Sequence, residues 1–321
     1  MAACISFTSL RDRIYRTSFS NAGLRSSTAD LGDGTVIHSW VPRKVKPHNP
    51  SLVLIHGFGA NAMWQWDEFV AKFSPRFNVY VPDMIFFGDS YTTCADRSEG
   101  FQARCLMEAL RKWGVGRLSV VGVSYGGFVA YSLAAQFGEE VERVVLVCAG
   151  VCLEEKDVED GMFVVNNVDE ASSILMPQRA EKLRELLKLS FYRPMKNVPA
   201  CFLNDFINVM CKENLQERKE LIDTLLKGRK LSQLPKIHQP TLVIWGEHDQ
   251  IFPLELAHRL VSYLDGKPEL VVIKKAGHAV NVEKPKKMYK HIKAFLGDTA
   301  TPSKVESSDN GNKTDPTKMS E

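Results

Sequence analysis

No apolar run in the 321 residues approaches the ~18 that a membrane span requires, so the sequence reads as a soluble body. A marked excess of one charge sign is missing as well. Lys and Arg number 41 against 38 Asp and Glu, a formal net charge of +3, which gives no footprint for nucleic acid and little to steer an anionic substrate. No nucleic-acid partner and a near-neutral substrate are therefore expected. Cysteine is odd in number and scattered (Cys4, Cys94, Cys105, Cys148, Cys152, Cys201, Cys211), with neither disulfide-framework nor zinc-site spacing. This points to a reducing, intracellular compartment, the cytoplasm by expectation. HExxH, P-loop and EF-hand sequences are lacking, so no metal and no nucleotide is expected. There is no internal repeat.

The N-terminal stretch Ala2–Leu10 has no basic segment before it, and Arg11, Arg13 and Arg16 follow it, which argues against a secretory signal. Phe7, Leu10 and Ile14 fall at helical spacing. We read residues 1–24 as a helical, basic segment packed on the domain, with an interfacial helix or a transit peptide as alternatives. Weak peripheral membrane association through this segment or through the cap described below is compatible with the sequence. Residues 298–321 carry no aromatics and few aliphatics, and disorder is expected there.

What is present is an alternation of strand and helix signals. Leu31–Trp40 reads as a turn and an antiparallel lead-in strand. Leu52–His56, Phe77–Val81, Arg117–Val123 and Val141–Val147 read as buried strands, with helices over Met63–Phe73, Phe101–Trp113 and Gly127–Phe137 between them. Strands this continuously apolar imply a parallel sheet covered on both faces. The rhythm stops after Gly150, where a helix-rich stretch, 151–234, reads as an inserted cap. It resumes with strand Thr241–Trp245, helix Leu254–Leu264, strand Leu270–Ile273 and helix Lys284–Leu296. The core thus comprises residues 25–150 and 235–297.

Chemistry enters with Gly122-Val123-Ser124-Tyr125-Gly126, a G-x-S-x-G between an apolar strand and a small-residue helix. That context makes it a nucleophile elbow, a sharp turn that lifts a serine hydroxyl above the sheet. A serine hydroxyl needs a base to take its proton. Of eight histidines only His278 follows an apolar strand at the carboxyl end of the sheet, freed by Gly277. The base needs a carboxylate to fix its tautomer, and Asp249, in the turn GEHDQIFP after strand TLVIW, lies on that edge. Glu247 and His248 read as loop residues. Acyl transfer also needs donors for the oxyanion; the backbone N–H groups of Phe58, in His56-Gly57-Phe58-Gly59, and of Tyr125 are the candidates. His56 reads as structural. In the cap, apolar runs at 162–165, 174–176 and 202–210 suggest an acyl pocket, with Met162, Phe163, Phe206 and Met210 as candidate lining residues.

With HGFG, PDMIFFGDS, GVSYGG, GEHDQIFP and GHAVNVEKP in this order, the sequence resembles the capped α/β-hydrolase superfamily over residues 30–297. It looks closest to plant members related to monoacylglycerol lipases and carboxylesterases. The resemblance implies an α/β-hydrolase fold: a mostly parallel sheet flanked by helices, with a helical cap after the sixth core strand. It also implies a serine esterase or lipase that takes a small hydrophobic ester or acyl substrate without a cofactor. Epoxide hydrolases and haloalkane dehalogenases carry aspartate at the elbow, where Ser124 stands here. Carbon–carbon bond hydrolases often carry tryptophan after the catalytic histidine, where this chain has Ala279. A carbon–carbon bond hydrolase on the same triad, or a receptor-like member of the fold, remains an alternative. A different class is suggested by Gly57-x-Gly59-x-x-Ala62 followed by Asp83, which fits a dinucleotide fingerprint. That reading leaves Ser124, Asp249 and His278 without a role.

Overall fold

In the computed structural model, which describes residues 6–297, helix α1 (Phe7–Asn21) leads into strands β1 (Leu24–Asp30) and β2 (Thr35–Pro42). The strand–helix alternation follows: β3 (Ser51–Ile55), α2 (Ala62–Phe73), β4 (Asn78–Pro82), the two-residue β5 (Tyr91–Thr92), α3 (Glu99–Lys112), β6 (Leu118–Val123), α4 (Tyr125–Gln136) and β7 (Val141–Val147). Five helices then interrupt the sheet: α5 (Glu155–Glu159), α6 (Val168–Leu175), α7 (Ala180–Ser190), α8 (Ala200–Met210) and α9 (Leu215–Leu226), with a 3-10 turn at Leu231–Gln233. The chain returns through β8 (Thr241–Gly246), α10 (Leu254–Tyr263), β9 (Glu269–Ile273), α11 (Val280–Glu283) and α12 (Pro285–Gly297). The tail expected to be disordered, 298–321, lies outside the described residues.

The strands pair in the order β1-β2-β4-β3-β6-β7-β8-β9, with β5 on β2. β1/β2 and β2/β4 are antiparallel, and every pair from β4 to β9 is parallel. This is an α/β-hydrolase fold: a mixed sheet flanked by helices, with the helical insertion after β7, the sixth strand along the path. Continuous apolar sequence is what the central strands need, because helices cover both faces; every residue of β6 and β8 is buried. The edges obey another rule. β1, LRSSTAD, pairs along its whole length with β2 yet buries only Leu24 and Ala29. A strand with one covered face has too few apolar residues to stand out, and the sequence reading passes over it.

Helix α2 shows how the sequence fixes the layer above the sheet. The Asn61 side chain caps its N-terminus by accepting from Trp64 N at 3.3 Å, and Met63, Trp66, Phe69, Val70 and Phe73 form one buried face. Full burial of a side chain such as Phe69 contributes roughly 1.5–3 kcal/mol. Helix α1 packs on α2 and α8. It is anchored by Phe19, fully buried with its ring 5.3 Å from that of Trp40, and by Thr8 N, which donates to Asp205 Oδ2 on α8 at 2.8 Å. Among the described residues no helix is long and apolar enough to cross a membrane.

Candidate active site

Strand β6 runs straight into α4 with no loop, so the chain must reverse within one residue, and that residue is Ser124. Its backbone has φ 54° and ψ −123°, a left-handed conformation that costs a non-glycine residue about 1–3 kcal/mol. Neighbours hold it there: Ser124 N donates to Val147 O at 2.9 Å, and Ser124 O accepts from Gly127 N at 2.8 Å. The flanking glycines are steric necessities. A Cβ on Gly122 would strike the Gly126 carbonyl, and one on Gly126 would strike the carbonyls of Ile55 and His56.

The serine hydroxyl meets a base from the far end of the chain. His278, on the loop after β9, has Nε2 at 2.9 Å from Ser124 Oγ and Nδ1 at 2.8 Å from Asp249 Oδ2. A carboxylate only accepts, so Nδ1 carries the proton and Nε2 presents its lone pair to the hydroxyl. Asp249, fully shielded at its side chain, is pinned through Oδ1, which accepts from Ile251 N and Phe252 N at 2.9 Å each. The histidine loop is fastened by Gly277 N donating to Glu283 Oε2 at 2.7 Å and Ala279 N donating to Ser190 O at 2.9 Å. Ser124, His278 and Asp249 therefore form a continuous hydrogen-bonded Ser-His-Asp triad. It can deprotonate the serine during attack on a carbonyl and return the proton to the leaving group.

Glu247 accepts from Lys275 N at 2.9 Å, and the exposed His248 stacks on Tyr192 at 4.5 Å, so both serve the loop. One triad neighbour escapes sequence reasoning. Cys148, fully buried after β7, lies against Asp249 and His278, their polar atoms all within 4.8 Å of one another. Burial first, and then the Asp249 charge, push its thiol well above the ordinary range, leaving an S–H donor rather than a thiolate. Being buried and protonated, it is placed to hydrogen-bond the carboxylate.

The His56–Gly59 loop faces the elbow. His56 is wholly buried; desolvation, its largest influence, lowers its pKa. Nε2 accepts from Met84 N at 3.0 Å while Nδ1 donates to Gly57 O at 2.8 Å, so the ring is a neutral brace between two loops. Gln65 of α2 clamps the same loop, its Oε1 accepting from Gly57 N at 2.8 Å and its Nε2 donating to Gly57 O at 2.9 Å and Phe58 O at 3.2 Å. Nothing in the sequence singles out Gln65, because only the fold brings it over the loop. The N–H groups of Phe58 and Tyr125 donate to no group among the described residues, and both residues line the cavity at Ser124. Asp83, the dinucleotide-type acid, is spent inside the protein: Oδ2 accepts from His38 Nδ1 at 2.8 Å and Oδ1 from Ala62 N at 3.0 Å.

From Ser124 a narrow cavity of about 90 Å³ runs under the insertion, room for several waters or an unbranched chain. Phe128, Leu153, Phe163, Ile174, Leu175, Leu225 and Phe252 are among its walls, and apart from Ser124 and Gln250 the lining is apolar. The expected cap residues divide. Phe163 lines the cavity; Met162, Phe206 and Met210 do not. Met162 packs on the main core. Phe206 and Met210 border a separate small core of Ala180, Leu183, Leu203, Ile207 and Cys211, and the Phe206 ring lies 5.5 Å from that of Trp64. The buried face of α8 is carried by Leu203 and Ile207, turned toward α7. At the expected spacing Phe202 and Val209 are exposed and Phe206 and Met210 half-buried, and none of the four lies at the cavity. Runs 162–165 and 174–176 supply the lining instead.

Known proteins are similar to this chain in sequence and fold. Residues 50–285 match a family model described as alpha/beta hydrolase fold. Monoacylglycerol lipase ABHD6 of Mus musculus is 29% identical over 265 residues, which is 78% of this chain and 76% of that protein. The crystal structure of a putative lipase from Acinetobacter baumannii AYE superposes with a TM-score of 0.77 at 22% identity, covering 93% of this chain and 98% of that one. The 2-hydroxy-6-oxo-6-phenylhexa-2,4-dienoate hydrolase of a Rhodococcus strain superposes at 0.68, with 22% identity over 85% of this chain and 99% of that one. A family model spanning most of the chain, together with this chain's own hydrogen-bonded Ser-His-Asp triad, places the protein in the alpha/beta hydrolase fold family, as a serine hydrolase.

Proposed function

We propose that the protein hydrolyses carboxylic esters with an unbranched apolar acyl chain, as a carboxylesterase of monoacylglycerol-lipase type. The acyl group passes from the ester oxygen to Ser124 Oγ, releasing the alcohol, and from Ser124 to water, releasing the acid. His278 moves the proton in both halves, Asp249 fixes its tautomer, and the N–H groups of Phe58 and Tyr125 receive the oxyanion. In this reading residues 151–234 act as a cap whose underside selects the acyl chain. The observation that carries it is the cavity: it begins at the nucleophile, is walled almost wholly by hydrocarbon, and has no Lys or Arg in its lining. The likeness to a protein named monoacylglycerol lipase supports the same reading. A carbon–carbon bond hydrolase acting on a dienoate would have to seat a carboxylate, and no cation in the cavity lining would hold it.

Each methylene that enters a dry apolar cavity contributes about 0.8 kcal/mol, roughly a fourfold gain in kcat/KM. A series of p-nitrophenyl esters should therefore rise in kcat/KM with acyl length until the cavity is filled, and monoacylglycerols should be turned over. Ala171, on the cavity wall in α6, gives a sharper test. Ala171→Trp should fill the cavity and reverse the octanoate-over-butyrate preference while retaining butyrate turnover. An unchanged ratio in a folded Ala171→Trp protein would refute this cavity as the acyl site.

Gln65 gives a test of the oxyanion loop. Gln65→Leu keeps the bulk but removes the clamp on Gly57 and Phe58. Because donor placement matters more in the transition state than in the bound substrate, kcat should fall roughly 10- to 100-fold with KM little changed. Steady-state kinetics on one ester separates the two; a pure KM effect would contradict the assignment.

A further inference from the structure

Ten large apolar side chains are exposed among the described residues, and five of them stand on two helices in contact: Phe7, Leu10 and Ile14 on α1, Phe202 and Val209 on α8. The rings of Phe7 and Phe202 are 4.8 Å apart, which joins the two sets into one strip. On α1 the spacing i, i+3, i+7 runs Phe7, Leu10 and Ile14 down one face, each 48–57% exposed, while Thr8 and Phe19 are buried on another. At 3.6 residues per turn Arg11 and Arg13 fall on either side of that line, and both are exposed. The acids nearby are engaged: Asp12 pairs with Arg16 at 3.0 Å, and Asp205 accepts from Thr8 N. Arg11 donates to Tyr15 Oη at 3.0 Å and lies within the field of Asp67, but among the described residues neither Arg11 nor Arg13 forms an ion pair, so the result is an apolar stripe between two arginines.

We propose that this strip docks the protein on an anionic lipid bilayer, with α1 lying in the headgroup plane, its apolar line toward the acyl chains and Arg11 and Arg13 among the phosphates. An apolar face flanked by cationic side chains is what such a surface selects, and α1 does not qualify as a membrane span. A second copy of the chain fits less well. An isologous pair would set the same arginine-rimmed patch against itself, like charge toward like charge. None of the five apolar residues lines the cavity at Ser124, so the inference stands apart from the proposed esterase activity.

Flotation with vesicles of phosphatidylcholine alone and of phosphatidylcholine and phosphatidylserine in equal parts tests it. The protein should float with the anionic vesicles at low salt, release as salt rises, and bind neutral vesicles weakly. Leu10→Asp combined with Ile14→Asp should weaken binding at least about tenfold, and Arg11→Gln with Arg13→Gln should lower the preference for anionic vesicles by about fivefold per charge removed. Thermal unfolding verifies that the variants are folded. If they are not, the salt and lipid dependence of the unaltered protein still decides. Absence of binding to anionic vesicles, equal binding to both, or full binding by folded Leu10→Asp/Ile14→Asp overturns the proposal. So does sedimentation showing a dimer that this variant dissolves, which would assign the strip to a second copy.

Discussion

Ser124→Ala is expected to lower kcat for ester hydrolysis roughly a millionfold, the scale seen when the nucleophile of a Ser-His-Asp unit is removed. The reason lies in the geometry. Among the described residues His278 Nε2 has one hydrogen-bond partner, Ser124 Oγ, at 2.9 Å; without that oxygen there is nothing to acylate, and the base has only water to activate. The substitution removes one atom at a site whose backbone is set by Val147 O and Gly127 N, so the fold should survive with the cavity intact. A residual acceleration of about 10³ to 10⁴ over water can persist from the remaining donors and substrate binding. Kinetics with p-nitrophenyl butyrate on purified protein measures the loss. Turnover within tenfold of the unaltered protein would remove Ser124 from the chemistry.

The second large effect is that of Asp249→Asn, which should reduce kcat by about 10⁴-fold, or some 5.5 kcal/mol of transition-state stabilisation. The mechanism is a reversal of hydrogen-bond polarity. Two backbone donors, Ile251 N and Phe252 N, require an acceptor at Oδ1, so an asparagine there must turn its NH₂ toward His278 Nδ1. That forces the proton onto Nε2, which then points an N–H at Ser124 and can no longer accept from it. Volume and packing change little. The expected signature is thus a large loss of kcat with nearly unchanged thermal stability, read from kinetics and a melting curve on the same sample. A variant with near-normal kcat would require another acid at His278.

Much of this was legible before the fold was seen, for reasons that can be stated by residue. The triad lies at the carboxyl ends of strands whose apolar runs are unmistakable, and each member sits in a short motif beside glycine or a turn. Strand–helix alternation carries topology because parallel strands buried on both faces cannot hide their composition. What stayed illegible depends on which face an element presents. The apolar residues of α8 go all round the helix and do not say which face is covered: Leu203 and Ile207 are buried, whereas Phe202 and Val209 are exposed. Met162, Phe206 and Met210 therefore read as cavity wall, whereas the structure sets Phe206 against Trp64 and leaves Phe163, Ile174 and Leu175 at the cavity. Strand β1 is too polar to announce itself at an edge. Gln65 and Cys148 act through contacts that only tertiary packing creates.

The central claim is that Ser124 is a nucleophile activated by His278, and fluorophosphonate labelling followed by peptide mass spectrometry tests it most directly. The account predicts a single adduct on the peptide carrying Ser124, and loss of that adduct in folded His278→Ala protein. An adduct on a different residue, or ester turnover by a protein whose Ser124 stays unlabelled, would contradict it.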